Sequence, residues 1–150
     1  MKDSPHIEIW AAGQMQYDYR HSILKGSRGQ HVILSATLVL ETGHDPDVLN
    51  RQADEYMAHR KRTQPPGASL GSIFKNPPDD YAGRLIEAAG LKGTTEGGVQ
   101  ISPVHANFIV NTGEGTAADY RALIELARAA VLEKFGVTLD PEIEFLGDWA

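Results

Sequence analysis

The chain is organised around residues 70–78, which read LGSIFKNPP and place a hydroxyl, a cation and a carboxamide close together. A proline- and glycine-containing approach, residues 64–68, precedes this segment, and a helix is predicted to begin just after it. Gly71 lets the backbone come close to a ligand, which a Cβ would hinder. Pro77 and Pro78 keep the backbone extended at the end of this segment. Since most glycine-serine loops are only turns, other parts of the chain must support any site here.

The composition indicates a globular protein and narrows the function classes. The 150 residues, 41% hydrophobic and 23% charged, suffice for one ordinary domain or two small lobes. No apolar run approaches the roughly 18 residues of a membrane span, and residues 1–6 lack a secretory apolar core, so a cytoplasmic protein is expected. The absence of cysteine excludes disulfides and thiolate sites. The net charge of −6 argues against a general nucleic-acid binder.

Periodicity and capping signals predict several strands and three longer helices. The strands are predicted at residues 7–10, 31–41, 99–101, 108–110 and 142–146. The helices are predicted at residues 46–62, at 79 or 80 to 90, and at 116–135. Residues 31–41 are nearly all apolar, which indicates a strand buried on both faces. Asp45 before Pro46 is an N-cap followed by proline at the first helical position, and Thr116 with Asp119 is typical of a capping box.

Three polar side chains stand out beside apolar neighbours: Arg20, Ser72 and Glu142. An arginine fork can grip a carboxylate or phosphate in bidentate fashion, and a serine hydroxyl can pass a proton when its conjugate base is stabilised. A carboxylate can orient the serine, hold a water or balance the arginine. An ordinary salt bridge, a loop hydroxyl and an exposed strand-end acid explain the same residues, and composition and spacing alone favour that simpler interpretation.

Other kinds of site fit the sequence less well. Ser72 lacks the second glycine of a nucleophile elbow, and the six histidines are scattered without metal-ligand spacing. The glycine-bearing stretch at residues 93–98 matches neither a phosphate-binding P-loop nor a dinucleotide fingerprint. The residues alone therefore leave the chemistry open.

A series of short motifs gives a more specific indication. In chain order they read YRHS (19–22), GSIFKNP (71–77), AGRLIE (82–87), GLKG (90–93), IS (101–102), HANFIVN (105–111), FGV (135–137) and LDPEI (139–143). Together they resemble the UDP-N-acetylenolpyruvoylglucosamine reductases, also called UDP-N-acetylmuramate dehydrogenases, the flavoenzymes of bacterial cell-wall precursor synthesis. The resemblance covers nearly the whole chain from about Ile7 onward.

The resemblance implies an α+β fold, with a small mixed or antiparallel sheet covered by helices and a partial lobe at the N-terminus. Residues 1–62 are expected to be the C-terminal remnant of the flavin-binding domain. Residues 63–150 are expected to be the substrate-binding domain, whose final strand, 142–146, returns to the active site. Members of this family are longer, with an N-terminal flavin-binding region that has no counterpart here. The chain is therefore expected to be the C-terminal half, as a fragment, a truncated gene product or one piece of a split protein, and not to hold FAD tightly alone.

The resemblance also implies a reaction and roles for residues. In the family, a hydride passes from NADPH to FAD and then to the enolpyruvyl double bond of UDP-N-acetylglucosamine enolpyruvate, giving UDP-N-acetylmuramate. Ser72 matches the proton donor, while Arg20 and Glu142 match the groups that polarise the enolpyruvyl carboxylate and stabilise the developing enolate. The residues expected to contact the nucleotide-sugar are Tyr19, Lys75 and Asn76.

Two questions stay open at this point. His105 and Asn107 could contact the substrate, but they are expected to satisfy backbone groups of their loop. The chain could also be a non-catalytic nucleotide-sugar-binding module or an inactive remnant. Under either interpretation no cofactor-binding residue is assigned, and no metal, nucleic acid or membrane partner is expected.

Overall fold

The computed structural model describes residues 6–27 and 29–148. The chain divides into two compact units, Met1–Thr42 and Gly43–Ala150. The elements are, in order, a 3₁₀ turn at Ala12–Met15, α1 at Ile23–Gly26, α2 at Pro46–Thr63, β1 at Ala68–Ser72, α3 at Ala82–Ala88, β2 at Thr95–Glu96, β3 at Val99–Ile101, β4 at Phe108–Asn111 and α4 at Ala117–Phe135. This is the predicted α+β fold, with a sheet that is antiparallel throughout.

The sheet places its first and last strands side by side. Its strands lie in the order β1-β4-β3-β2, so the first strand pairs with the last. The β2–β3 hairpin turns through residues 97–98, since Glu96 pairs directly with Val99. On the outer side of β4, Ala68 of β1 lies opposite Asn111. The segment around Ser72 therefore runs beside the segment that leads into β4.

The core lies between this sheet and the helices α3 and α4. Helix α4 begins as predicted: the Thr116 side chain accepts from the Asp119 N–H, and the Asp119 carboxylate accepts from the Thr116 N–H. The apolar side chains at helical spacing in α4 pack toward the core, with Leu123, Ile124, Ala127 and Val131 buried, and each buried leucine-sized side chain contributes about 1.5–3 kcal/mol. The larger buried side chains of the core are Ile73, Phe74, Leu85, Ile86, Val99, Ile101, Ile109, Leu123, Ile124, Val131 and Leu139.

Strand β1 contains a bulge at Gly71. Ser69 pairs with Val110 and Ser72 pairs with Phe108, so β1 has one more residue than β4 between the two pairs. Gly71 has a φ of +77°, the left-handed conformation that suits glycine in such a bulge. A Cβ added at Gly71 would meet no atom within 4 Å. The glycine is therefore required by its backbone angle rather than by a close contact within the protein.

Three predicted strands are wrong. Residues 7–10 and 31–41 form no strand or bridge with any part of the chain that the structure describes, and the apolar side chains of the longer segment are exposed, Val39 to 98%. Strand preference is realised only when a neighbouring backbone pairs with it. Residues 142–146 also form no strand, because pairing there is limited to a single bridge between Pro141 and Phe74.

Helix α2 agrees with its predicted bounds but packs against little. The Asp45 carboxylate accepts from the Asp47 N–H at its start, and Arg60, Lys61 and Arg62 lie in its last turn. None of its residues is buried. The stability of α2 thus comes from local capping and from favourable charges at the helix dipole rather than from core packing. Among the described residues, no helix is both long and apolar enough to cross a membrane.

Replacing Gly71 tests the bulge. Gly71→Ala should lower the free energy of unfolding by about 1–2 kcal/mol, because alanine is strained at positive φ. Gly71→Asn should cost less, since asparagine visits this conformation more readily. Urea denaturation of the two variants beside the wild type measures both values. Equal losses for alanine and asparagine would show that the backbone angle is not the reason for glycine.

Candidate active site

Two of the three predicted catalytic residues lie on paired segments. Ser72 ends β1, and the carbonyl of the next residue, Ile73, accepts a hydrogen bond from the Glu142 N–H at 2.8 Å. Two residues further on, the Lys75 N–H donates to the Asp140 carbonyl oxygen at 2.9 Å. Residues 73–75 therefore run antiparallel to residues 140–142. The fold brings the backbones at Ser72 and Glu142 together at one edge of the sheet, and both residues are half-buried there.

An ion pair joins the same two segments through side chains. The Lys75 ammonium lies 2.5 Å from a carboxylate oxygen of Asp140. The lysine side chain is 30% exposed and the aspartate 67%, so the pair lies at the surface, where such pairs are worth at most about 1 kcal/mol. Its main effect is positional, because it ties the Lys75 side chain to the segment that contains Glu142. Asp140 is a residue that sequence reasoning missed, although it lies in the same LDPEI motif as Glu142.

Asn76 connects the segment to the helix that follows. Its Oδ1 accepts from the Ala82 N–H at 3.1 Å, which satisfies one free donor at the start of α3. Asp80 pairs with Arg84 and accepts from the Tyr81 N–H, and these bonds lower the pKa of Asp80 to about 2, the Arg84 hydrogen bond most strongly. The role of Asn76 as a nucleotide-sugar contact stays a prediction.

Arg20 and Tyr19 belong to the unit that ends at Thr42. They lie in a turn closed by two backbone hydrogen bonds between Asp18 and His21, of 3.2 and 2.9 Å. Arg20 has a φ of +53°, and both side chains are exposed. That Arg20 and Tyr19 belong to the same site as Ser72 and Glu142 stays a prediction.

The expectation that His105 and Asn107 satisfy loop backbone groups is confirmed. The Asn107 side chain bonds to both main-chain groups of Phe74, and His105 Nδ1 accepts from the Asn107 N–H at 3.2 Å. The His105 ring also packs edge-on against Phe108, with 5.0 Å between ring centroids. A Cβ on Gly83 would come within 2.9 Å of that ring, so α3 approaches His105 closely because residue 83 is glycine.

The surroundings of His105 lower its pKa. Burial lowers its pKa most, and the nearby Lys92 ammonium lowers it further, while its own main chain and Glu87 oppose the shift. Because Nδ1 accepts a hydrogen bond, the neutral ring carries its proton on Nε2. Within the described residues, no cluster of three histidine or acidic side chains could hold a metal ion.

Comparison with known proteins identifies the family. The family profile described as "UDP-N-acetylenolpyruvoylglucosamine reductase, C-terminal domain" matches residues 62–146. The chain belongs to this reductase family. The match contains Ser72 and Glu142, whereas Arg20 lies before it.

Individual relatives of the reductase family agree with that assignment. The UDP-N-acetylenolpyruvoylglucosamine reductase of Chloroflexus aggregans is 50% identical over 140 residues, which cover 92% of this chain and 47% of that protein. The reductase of Synechococcus sp. WH7803 is 46% identical over 144 residues, covering 95% and 46%. The crystal structure of the reductase from Thermus caldophilus matches with a TM-score of 0.59 and 39% identity, over 69% of this chain and 36% of that one. The chain thus spans about half the length of the curated relatives it matches.

The state of His105 predicts how stability depends on pH. The unfolded chain takes up this proton near pH 6.5, whereas the folded protein resists it. The free energy of unfolding should therefore fall as the pH drops below about 6.5 toward the lowered pKa. His105→Asn, which keeps an acceptor without titrating there, should reduce that slope in urea denaturations between pH 7.5 and 5.

His59→Asn is the control, because His59 is exposed on α2. It should keep the wild-type pH dependence. An unchanged slope in His105→Asn would show that another group is responsible.

Proposed function

We propose that the chain forms the substrate half of a reductase that converts UDP-N-acetylglucosamine enolpyruvate to UDP-N-acetylmuramate, a cytoplasmic step in peptidoglycan precursor synthesis. The observation that carries the proposal is the antiparallel pairing that brings the Ser72 and Glu142 backbones together. It occurs within the residues that match the family profile. Ser72, Glu142 and Arg20 are the proposed catalytic residues, with Tyr19, Lys75 and Asn76 as contacts to the nucleotide-sugar.

The chemistry assigns a different task to each catalytic residue. Hydride addition to an enol ether conjugated with a carboxylate builds negative charge on the carboxylate oxygens. An arginine fork stabilises that charge most when it forms, which is the proposed task of Arg20. Ser72 gives its proton to the neighbouring carbon, so that one hydride and one proton complete the reduction of the double bond. Glu142, together with Arg20, stabilises the developing enolate.

Serine is a weak acid, so its usefulness depends on placement. A hydroxyl held in line with the carbon avoids the entropic cost of finding that geometry, and exclusion of water strengthens the interaction. The Gly71 bulge and the pairing with residues 140–142 constrain the backbone on both sides of Ser72. This rigidity favours a proton-transfer role over that of a mobile loop hydroxyl.

FAD and NADPH are the proposed cofactors, and FAD supplies the hydride. The turn at Gly97 and Gly98, in the glycine-bearing stretch of residues 93–98, does not fit a flavin pyrophosphate. A Cβ at Gly97 would meet the Asp119 carboxylate at about 2.5 Å, and one at Gly98 would meet the Gly115 backbone at 2.2 Å. The turn packs against Asp119 of α4 and against residues 114–115 of the loop before that helix, and the Asp119 carboxylate would repel phosphate. We therefore assign the flavin site to the part of the relatives' length that this chain does not cover.

The exposed apolar residues support the proposed domain division. Residues 31–41 are β-prone and apolar on both faces, yet their larger side chains are 66–98% exposed. Such a segment is stable as a strand only within a sheet. In the proposal, residues 1–62 belong to the flavin-binding lobe, whose sheet receives this segment, and residues 63–150 form the substrate-binding domain.

A non-catalytic nucleotide-sugar-binding module is the second candidate. It is favoured by the placement of Lys75, Asn76 and Ser72 in the unit Gly43–Ala150, which has its own core. Both candidates predict that the chain binds the uridine nucleotide-sugar. They differ in whether the chain, once joined by a flavin-bearing partner, turns over.

Calorimetry with the purified chain tests binding. UDP-N-acetylglucosamine enolpyruvate should bind, and Lys75→Ala should weaken it by roughly 10- to 100-fold, as expected for loss of a charge-assisted bond. Lys61→Ala, an exposed lysine of α2, should leave the affinity unchanged. The absorbance spectrum should show no flavin. A yellow chain that oxidises NADPH would contradict the proposed half-enzyme, and failure to bind the ligand would count against both candidates.

Ser72→Ala tests catalysis in the chain assembled with the flavin-bearing half of a relative. Reduction of the flavin by NADPH should stay nearly intact, because Ser72 takes no part in it. Reoxidation by the enolpyruvyl substrate should slow by about 10²- to 10⁴-fold, the range for loss of a positioned proton donor. Stopped-flow absorbance resolves the two half-reactions. Equal losses in both would mean that Ser72 is structural.

A further inference from the structure

Asn107 is buried, with 4% of its surface exposed. Both ends of its side-chain amide bond to one residue: Nδ2 donates to the Phe74 carbonyl oxygen at 2.8 Å, and Oδ1 accepts from the Phe74 N–H at 2.9 Å. Its own carbonyl oxygen accepts from the Ile73 N–H at 2.9 Å. Three hydrogen bonds thus join Asn107 to the two residues that follow Ser72.

The Asn107 amide takes the place of a neighbouring strand. β1 pairs with β4 only as far as Ser72 opposite Phe108, and β4 begins at Phe108. Beyond that pair, an amide offers the same donor and acceptor as a peptide group. Phe74 therefore exchanges two hydrogen bonds with the side chain, as two opposite residues of an antiparallel ladder would do.

The opposite edge of the same residues is held by the other paired segment. There the Ile73 carbonyl accepts from Glu142, and the Lys75 N–H donates to Asp140. Residues 73–75 are consequently bonded along both edges, by Asn107 on one side and by residues 140–142 on the other. Loss of Asn107 would leave the buried N–H and C=O of Phe74 without their partners, and the backbone would have to move to satisfy them.

We infer that Asn107 is a positioning residue, which fixes the backbone after Ser72 and so aligns the Ser72 hydroxyl for proton transfer. The inference rests on the proposed function, because the alignment matters only if Ser72 is the proton donor. Asn107 acts through the backbone of Ile73 and Phe74 and needs no contact with the substrate. A misplacement of about 1 Å at the reacting group lowers a rate by about 10²-fold.

The chain contains a matched control at the other end of β4. The Asn111 amide also binds loop backbone through both ends: Oδ1 accepts from Gly113 N–H at 2.9 Å and Gly115 N–H at 3.2 Å, and Nδ2 donates to the Gly115 carbonyl at 3.2 Å. That loop leads into α4 rather than to Ser72. Asn111→Leu therefore removes a similar set of bonds on the same strand without loosening residues 72–76.

Amide hydrogen exchange in the chain itself tests the first step. In Asn107→Leu, the Phe74 amide should exchange at least about tenfold faster than in the wild type, because its hydrogen bond is lost. In Asn111→Leu, the Phe74 amide should keep its wild-type rate. Unchanged exchange at Phe74 in Asn107→Leu would overturn the inference. If that variant does not fold, Asn107→Ala replaces it, since the smaller side chain also removes the acceptor of the Phe74 N–H.

The half-reactions of the assembly with a flavin-bearing half test the second step. Asn107→Leu should slow flavin reoxidation by the enolpyruvyl substrate by about 100-fold, while reduction by NADPH stays within about twofold of the wild type. Asn111→Leu should leave both within about twofold. Equal losses in both half-reactions, or equal losses in the two variants, would reduce Asn107 to a stability role. If the wild-type assembly does not turn over, the proposed function fails, and exchange at Phe74 still decides whether Asn107 holds this backbone.

Discussion

The rest of the candidate site depends on the hydrogen bonding of residues 73–75 along both of their edges. These residues follow a bulge, where a sheet is locally irregular and a chain could leave it as a loose loop. The Asn107 amide and the residues 140–142 prevent this by supplying partners on either side. Ser72, Lys75 and Glu142 acquire their positions from that arrangement. Residues 73–75 lie outside any assigned strand, yet they are hydrogen-bonded along both edges, as a central strand is.

Features set by neighbours in sequence were predictable. The capping of α4 by Thr116 and Asp119, and the start of α2 at Asp45 and Pro46, depend on residues a few positions apart, and both agree with the structure. The apolar stripe of α4 is likewise a property of one helix, and it is buried as the spacing predicts. The starts of these two helices and the buried face of α4 thus follow from local patterns, whereas α3 begins at Ala82 rather than at residue 79 or 80.

Features set by distant pairing were not predictable from local pattern. β1 consists of residues with little strand preference, and it is a strand because β4 lies beside it. The opposite case is residues 31–41, where the strand preference is strong but no described backbone pairs with the segment, so the predicted strand does not form. The segments of Ser72 and Glu142 pair although they lie far apart in the chain, so the residues alone favoured a simpler interpretation, and only the resemblance of several motifs to a family assigned both to one site. Asn107 carried a weaker signal, as a polar residue between apolar ones in HANFIVN.

The distribution of burial also bears on how the proposed function is divided. Among the described residues, those buried in the core fall between Ile73 and Leu139, inside the part that matches the family profile. Before it, α2 and residues 31–41 expose apolar side chains and rely on local structure. Under the proposed function Ser72 needs a rigid support, and the buried part of the chain provides it. In the proposed function, this core binds and aligns the nucleotide-sugar, and the hydride comes from a lobe whose sheet residues 31–41 join.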